Sequence, residues 1–507
     1  MNRSETNSIT TFRKDRNSLV IGGLLLCGLT GCQTAAPPKE ETPENKSPTP
    51  EILEVLPENT DKPISRDTEL IIRFSLPIDP ATVIVNQEDN QCNGNVQLSA
   101  DGFQTCIRIK SPSAASDRQE FKFTPQGIYK PGGRYRLRLT SGIKTLEGGT
   151  LKEKEHSETF TMYSTQLLGA PGNDRGLAIF VDGEDQVYIA GTTSSGAEES
   201  DVFLVKFAAE GRQMWIRQAG FKVPPKTCLL RTTAARHLRV IAHYPGMDFS
   251  RMVIADYDTE GHLQWKRELE SKGPAAGSAI DFDDEGNVYA SGNLEDHLIK
   301  ILPNGKSGWK ASMKNPVELN AAALDNDSHL FAAGTLRQKI DGQKQRGGRD
   351  GFLIKMHRSG IKRWTRQFGT SSNDELVALI IGKSGYLALI QSEPSSPTMP
   401  LKTSSIHKFS TDGEMIWERF LGELLPGPVF GIHETEEEHL LLAGYTLNPE
   451  ELEKAVLNEE AFVAKMNPEG NLLWLQLFGG KGNERALAVT QGPSGTVYVT
   501  GYTTGSI

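Results

Sequence analysis

The sequence is short of several things. No stretch is apolar for long enough to cross a bilayer as a helix. The N-terminal apolar run, Leu19-Val-Ile-Gly-Gly-Leu-Leu-Leu26, falls short of a span. Positive charge is not in excess: 55 Lys and Arg face 64 Asp and Glu, for a net charge of -9. That argues against a nucleic-acid partner, which favours a basic face. Signatures of common chemistry are missing too. There is no G-x-S-x-G, no HExxH, no P-loop and no G-x-G-x-x-G. The ten histidines are scattered, and His433 and His439 stand six apart, which is not zincin spacing. No catalytic residue, metal or cofactor is therefore assigned. Cysteines number five: Cys27, Cys32, Cys92, Cys106 and Cys228. Cys92 and Cys106 could form one disulfide in an oxidising envelope, or could be two reduced, buried thiols. Cys228 reads as a small buried hydrophobe.

What is abundant is turn chemistry. Fifty glycines and 27 prolines in 507 residues favour a β-rich class of two to four domains. The N-terminus is a separate matter. Arg13, Lys14 and Arg16 precede the apolar run, which leads into Leu29-Thr30-Gly31-Cys32. That order is a signal peptide, and its end resembles the lipobox of bacterial lipoproteins. The resemblance implies that residues 1–32 are the signal and its lipidated cysteine, Cys32. Gln33 follows, and the absence of Asp there implies the outer membrane, at its surface or its periplasmic face. Residues 33–50, QTAAPPKEETPENKSPTP, cannot build a core and read as a disordered Pro-rich tether.

Residues 51–162 alternate like short strands. In Arg134-Tyr-Arg-Leu-Arg-Leu139, the residues Tyr135, Leu137 and Leu139 are expected to face a core and the arginines to line the opposite face. Several short strands with turns suggest a sandwich. Pro57-Glu-Asn, Ile72-Arg-Phe-Ser-Leu-Pro77-Ile-Asp79-Pro-Ala-Thr82-Val83, Phe123-Thr-Pro125, Tyr135–Ile143 and Phe160-Thr resemble the bacterial Ig-like domain of the SbsA type (group 5). In that family the domain is a spacer or interaction module. Residues 94–106 read as an insertion.

From 163 onward the chain repeats. Trp215, Trp265, Trp309, Trp364, Trp417 and Trp474 each follow a glycine four residues earlier: Gly211, Gly261, Gly305, Gly360, Gly413 and Gly470. Five residues before each glycine stands Lys206, Asp256, Lys300, Lys355, Lys408 or Lys465. The tryptophans are spaced 50, 44, 55, 53 and 57 residues apart, the mark of one duplicated unit. Each unit reads as strands A to D. A–B and C–D are joined by tight turns, and B ends in patterns such as Val187-Tyr-Ile-Ala-Gly191 and Val497-Tyr-Val-Thr-Gly501. Such units, repeated about seven times, describe a β-propeller. The tryptophan reads as packing between blades. Ala333-Gly-Thr, Ile340-Asp-Gly-Gln, Gly347-Gly-Arg-Asp350-Gly-Phe352-Leu-Ile-Lys355, Gly360 and Trp364 resemble the SBBP seven-bladed propeller repeat. Blade two departs, with Asp256 for lysine and His243-Tyr-Pro at the strand B glycine. Blade five has Gln391 there. Residues 163–169 are expected to be strand D of blade seven. The chain stops before a strand C, so that blade has three strands or the sequence is truncated.

The expected architecture is thus all-β: an Ig-like β-sandwich over 51–162 and a seven-bladed propeller of four-stranded blades over 163–507. Asp281, Asp283 and Glu285 copy half of a calcium loop, but Gly292 stands where its last ligand belongs, and a turn is the better reading. The variable B–C loops (192–200, 335–349, 391–404 and 445–459) are where binding is expected. One is basic, with Arg337, Lys339, Lys344, Arg346 and Arg349, and another acidic, with Glu450, Glu451, Glu453 and Glu459. The expectation is a monomeric, non-enzymatic, lipid-anchored envelope protein. Its propeller is a platform for an unknown protein or glycan. Two alternatives are a periplasm-facing outer-membrane assembly scaffold and a propeller enzyme.

Overall fold

The computed structural model describes residues 48–505. Within that span it leaves out 57–63, 66–67, 90, 127–133, 153, 164–166, 169–173, 195–199, 220–226, 233–236, 245–248, 273–279, 284, 292–297, 304–305, 312–316, 326, 395–400, 423, 426, 448–457 and 480–481. The signal segment, Cys32, the tether to 47, and Glu450, Glu451 and Glu453 lie outside the described residues. Apart from one 3-10 turn at Pro80–Thr82, the described elements are strands.

Two four-stranded sheets pack as an Ig-like sandwich. One orders Ile52–Leu56, Leu70–Phe74, Glu120–Phe123 and Ser113–Ala114. The other orders Ile64–Ser65, Lys154–Tyr163, Arg134–Leu139 and Val96–Ser99. Their inner faces close over Leu70, Ile72, Phe74, Val96, Leu98, Phe121, Phe123, Tyr135, Leu137 and Leu139. Strand alternation dictates this, because every second side chain of a strand meets the same face. Packing starts inside the expected tether: Pro50 is buried and the Glu51 amide donates to Ser75 Oγ. Cys92 and Cys106 are joined in a disulfide, with Cα atoms 4.8 Å apart. The outer arginines grip the stapled segment. Arg138 donates to Gln97 Oε1, and the guanidinium groups of Arg136 and Arg138 lie 5.9 and 4.1 Å from the Phe103 ring centre.

The rest is a seven-bladed β-propeller. Six antiparallel sheets of four strands occupy 175–218, 227–272, 280–311, 317–368, 374–420 and 429–478. The seventh, over 484–503, has two strands among the described residues. Strand A of each blade is innermost, touching strand A of its neighbours in nearly every pair, so the A strands line the axis. The ring closes because Glu484–Gln491 and Val497–Thr503 of blade seven pack on Arg175–Val181 of blade one. Across this seam Ser494 Oγ donates to Asp185 Oδ1 at 3.1 Å. Closure removes the open ends that a linear array would expose.

The hairpin turns repeat one device. A residue in the left-handed region ends ten of the described turns: Gly211, Gly261, Gly360, Gly413 and Gly470 between C and D, and Asp185, Gly286, Ser328, Glu438 and Gly495 between A and B. In most described turns an opening Asp, Asn, Ser or Thr accepts the amide four residues on. Asp182 Oδ1, for instance, accepts from the Glu184 and Gln186 amides. In five blades strand A also bulges at its second, third or fourth residue, as between Gly176 and Ala178, which turns the inner strand along the axis.

Three expectations change. Tyr163 ends the sandwich strand Lys154–Tyr163, and Leu167 and Leu168 carry no strand. The remainder of the expected strand D lies outside the described residues. In blade two Ala242, not His243, holds the strand B glycine position, opposite Val253. In blade five it is Ile390, not Gln391, opposite Ser405. The reason is volume. Gly191 faces Phe203 and Gly444 faces Phe462, and a Cβ on either glycine would stand 2.1 or 2.2 Å from the Arg175 or Pro428 carbonyl and 2.6 or 2.8 Å from the phenyl ring. Where the facing residue shrinks to Val or Ser, strand B carries Ala or Ile instead, so the pair still fills its slot.

Candidate interaction face

The repeated lysine, glycine and tryptophan form a latch between blades. A Cβ on Gly261, Gly360 or Gly413 would stand 3.0, 3.2 or 2.9 Å from the ring of Trp215, Trp309 or Trp364 of the preceding blade. The same turn accepts hydrogen bonds from that blade. Trp215 Nε1 and Lys206 Nζ donate to the Thr259 carbonyl at 3.2 and 3.3 Å, and Trp309 Nε1 donates to Arg358 at 2.8 Å. An arginine two residues after the tryptophan completes the latch. Arg217 and Arg366 donate to the carbonyls of Gly261 and Gly413 while lying over Trp215 and Trp364. Sequence reasoning missed this arginine, although W-x-R recurs at 215–217, 265–267, 364–366 and 417–419. These residues are committed to neighbouring blades and form no unique site.

The other end of the blades carries the variable loops. In blade four, Asp350 is fully buried and holds the basic loop from beneath. Its carboxylate accepts from the amides of Arg346 and Gly347 at 2.9 and 2.8 Å and from Gln367 Nε2 at 2.8 Å. Asp374 of blade five repeats the device with Thr370 and Ser392. Burial raises its pKa, those two hydroxyl partners oppose the shift, and the Asp350 charge adds to it. The five basic residues then divide. Arg349 pairs with Glu318 at 3.1 Å and Arg346 with Glu418 at 3.4 Å, so both are engaged within the chain. Arg337, Lys339 and Lys344 are exposed and make no ion pair among the described residues. Around the axial mouth, Lys402 pairs with Glu375 at 2.8 Å and Arg485 with Glu459. Phe430 stacks on Tyr445 at 6.0 Å, and Arg485 lies 4.1 Å from the Tyr445 ring and 5.9 Å from Tyr502. Arg175 covers Tyr502 at 4.8 Å. This ladder crosses blades six, seven and one. Its members come from different strand positions, so no local pattern announced it.

The half calcium loop is a turn whose carboxylates are engaged within the chain, Asp283 and Glu285 sharing Asn287 and Arg358. Asp281 accepts from the Phe282 and Leu324 amides and pairs with Arg231 at 3.6 Å. Asp283 accepts from Asn287 and the Tyr289 hydroxyl. Cys228 is half-buried, packed against the core of blades one and two, and burial raises its thiol to about 12, away from the reactive thiolate.

One buried histidine lies behind this face. His407, of blade five strand C, lies 5.0 Å from the Phe368 ring, and Nε2 meets Ser405 Oγ at 3.1 Å. Burial, helped by Arg346, lowers its pKa to about 4. The unfolded chain therefore binds the proton first. The neutral form's contribution is complete above about pH 6.5 and is lost as pH falls toward 4. At roughly 1.4 kcal/mol per pKa unit, the stability lost over that window is about 3 kcal/mol. Urea unfolding at pH 7 and pH 4 checks this: His407→Gln should lose less stability between the two than wild type.

Residues 46–162 match the family model of a bacterial Ig-like domain. No curated protein matches the chain. Among solved structures, a streptogramin B lyase is 12% identical, with 66% of this chain and 95% of that one covered and a TM-score of 0.41. Virginiamycin B lyase from Staphylococcus aureus is 12% identical, with coverage of 64% and 94% and a TM-score of 0.38. The Neurospora crassa Pan2 WD40 domain is 10% identical, with coverage of 66% and 90% and a TM-score of 0.40. At this similarity the activities of those proteins carry no argument about this one.

Proposed function

We propose that this is a lipid-anchored cell-envelope protein, held to the outer membrane through Cys32. In this reading the Ig-like domain is a spacer and the propeller a non-enzymatic platform for an acidic protein or glycan surface. The supporting observation is the loop over residues 337–349. It is shaped from below by the buried Asp350 carboxylate, yet it presents Arg337, Lys339 and Lys344 exposed and without ion pairs among the described residues. A rigid scaffold that offers unspent cations on a shaped loop suits electrostatic recognition. The expected result of Arg337→Glu, Lys339→Glu and Lys344→Glu together is an unchanged melting temperature and at least a tenfold loss of captured partner in pull-downs from envelope extracts. An unaltered pull-down profile rejects the reading. Arg349→Glu belongs in a separate arm, because it sets a second carboxylate beside Glu318.

Protease treatment of intact cells separates a surface platform from a periplasm-facing assembly scaffold. Cleavage of the propeller without breaking the cells supports the first. Full protection supports the second.

A further inference from the structure

Two buried carboxylates stand beneath the basic loop. Asp350 opens strand C of blade four and Asp374 opens strand A of blade five. A Cβ on Gly369 would stand 2.3 Å from Asp374 Oδ2 and 3.4 Å from Asp350 Oδ1, so the two acids flank one backbone carbon. The loop rests on both strands. Asp350 accepts from the Arg346 and Gly347 amides, the Asp374 amide donates to the Arg349 carbonyl at 3.0 Å, and the Arg346 guanidinium donates to the Gly369 carbonyl at 3.3 Å.

The partners of the two acids differ in kind. Those of Asp350 only donate: two backbone N–H groups and Gln367 Nε2, while Gln367 Oε1 already accepts from the Ile340 amide at 2.8 Å. Such a site fits a carboxylate and offers a carboxylic acid no acceptor. Asp374 instead meets two hydroxyls at Oδ1, Thr370 Oγ1 at 2.8 Å and Ser392 Oγ at 2.6 Å. A hydroxyl donates or accepts as its rotor turns. These two lie 3.4 Å apart, so one can accept from a protonated Asp374 and donate to the other. Two carboxylates sharing a buried site favour taking up one proton between them, and these partners place it on Asp374. Burial, with the Asp350 charge adding to it, raises the Asp374 pKa in the same sense.

The other charges nearby are mostly balanced. Arg349 pairs with Glu318, Arg346 with Glu418, and Glu375, on Asp374's own strand, with Lys402. Glu393, just past strand B, accepts from Asn373. His407 of strand C is kept neutral by burial until the pH falls toward about 4.

We propose that Asp374 is a proton-operated clamp under the basic loop. Binding a proton there removes the repulsion between the two acids and a negative charge beneath the cations. The loop is then held more firmly and captures anions more tightly in mild acid. The anion is the partner of the platform reading, on which this regulation rests. The sign follows from linkage: the closed site binds the proton more readily than a hydrated aspartate does, so falling pH favours the closed loop.

The probe is dextran sulfate, whose sulfates stay charged, titrated into the full chain at pH 7.5 and pH 4.5. The gain in affinity on acidification should be at least threefold larger in wild type than in Asp374→Asn, which mimics the protonated acid at every pH. Amide exchange at 346–347, corrected for its intrinsic pH dependence, should slow in wild type between pH 7.5 and pH 4.5 and stay level in Asp374→Asn. His407→Gln should keep both responses. Absence of that slowing in wild type overturns the proposal without any variant. Equal responses in wild type and Asp374→Asn also overturn it, and so does their loss in His407→Gln, which assigns the switch to the histidine. The platform reading fails separately. Dextran sulfate that binds at neither pH, or that binds the Arg337→Glu, Lys339→Glu, Lys344→Glu variant equally, rejects that reading, while amide exchange still decides the clamp.

Discussion

Replacing Asp256 by lysine, the residue the other five repeats carry, is expected to destabilise the chain by about 3–5 kcal/mol. Conformity to the repeat is harmful here because blade two has reversed the charges. Asp256 is 2% exposed, and its carboxylate meets Arg239 at 3.1 Å and His237 Nδ1 at 2.7 Å. Arg239 occupies the strand B position that Tyr188 and Tyr289 hold in blades one and three. A lysine would bury a second cation beside it with no anion between them. Arg239→Tyr should rescue Asp256→Lys, because the pair then copies Tyr188 with Lys206, and Tyr289 with Lys300 at 5.4 Å. Arg239 also lies over Trp265 at 5.1 Å and Phe282 at 4.8 Å, contacts a tyrosine ring can replace. Urea midpoints of the two single variants and the double complete the cycle. A coupling of about 2 kcal/mol or more is expected. Additive losses would show that the reversed pair is incidental.

Trp215→Ala should cost about 3–5 kcal/mol, whereas Trp265→Ala should cost roughly a third of that. The two occupy the same repeat position, but Trp215 is 8% exposed and Trp265 is 36% exposed. Trp215 lies edge-on to Tyr188 at 6.4 Å, donates to Thr259 and covers Gly261 of the next blade. Its loss removes packing and a hydrogen bond together and leaves a cavity at a blade boundary. In a repeat array stability is a sum of units and neighbour contacts, so hydrogen exchange should rise first in blades one and two. Equal losses for the two variants would mean that the motif, and not its local burial, sets the energy.

The scaffold was largely legible in the chain because its markers are chemically loud. Only glycine suits the left-handed turn of Gly360 and the approach of the Trp309 ring, so the glycine recurs wherever the tryptophan does. Tyr135, Leu137 and Leu139 alternate with arginines as a sheet face demands. Other features are cross-strand or cross-blade quantities with no local signature. The size exchange of Ile390 with Ser405 shows only once the register is known. Arg366 reads as an ordinary solvated residue until the next blade's turn is placed under it. Of the basic loop, composition showed five cations. That Arg346 and Arg349 are committed within the chain depends on Glu418 and Glu318, 72 and 31 residues away in sequence.

Everything assigned to the platform requires blade seven to be seated on blade one. Asp185→Cys with Ser494→Cys places thiols where a 3.1 Å hydrogen bond joins residues 309 apart in sequence. Treated with a short bifunctional thiol reagent, the folded double variant should form an intramolecular link that speeds its migration on a denaturing gel, and neither single variant should. If both thiols of the folded double variant react singly and no link forms, the ring is open and the account fails.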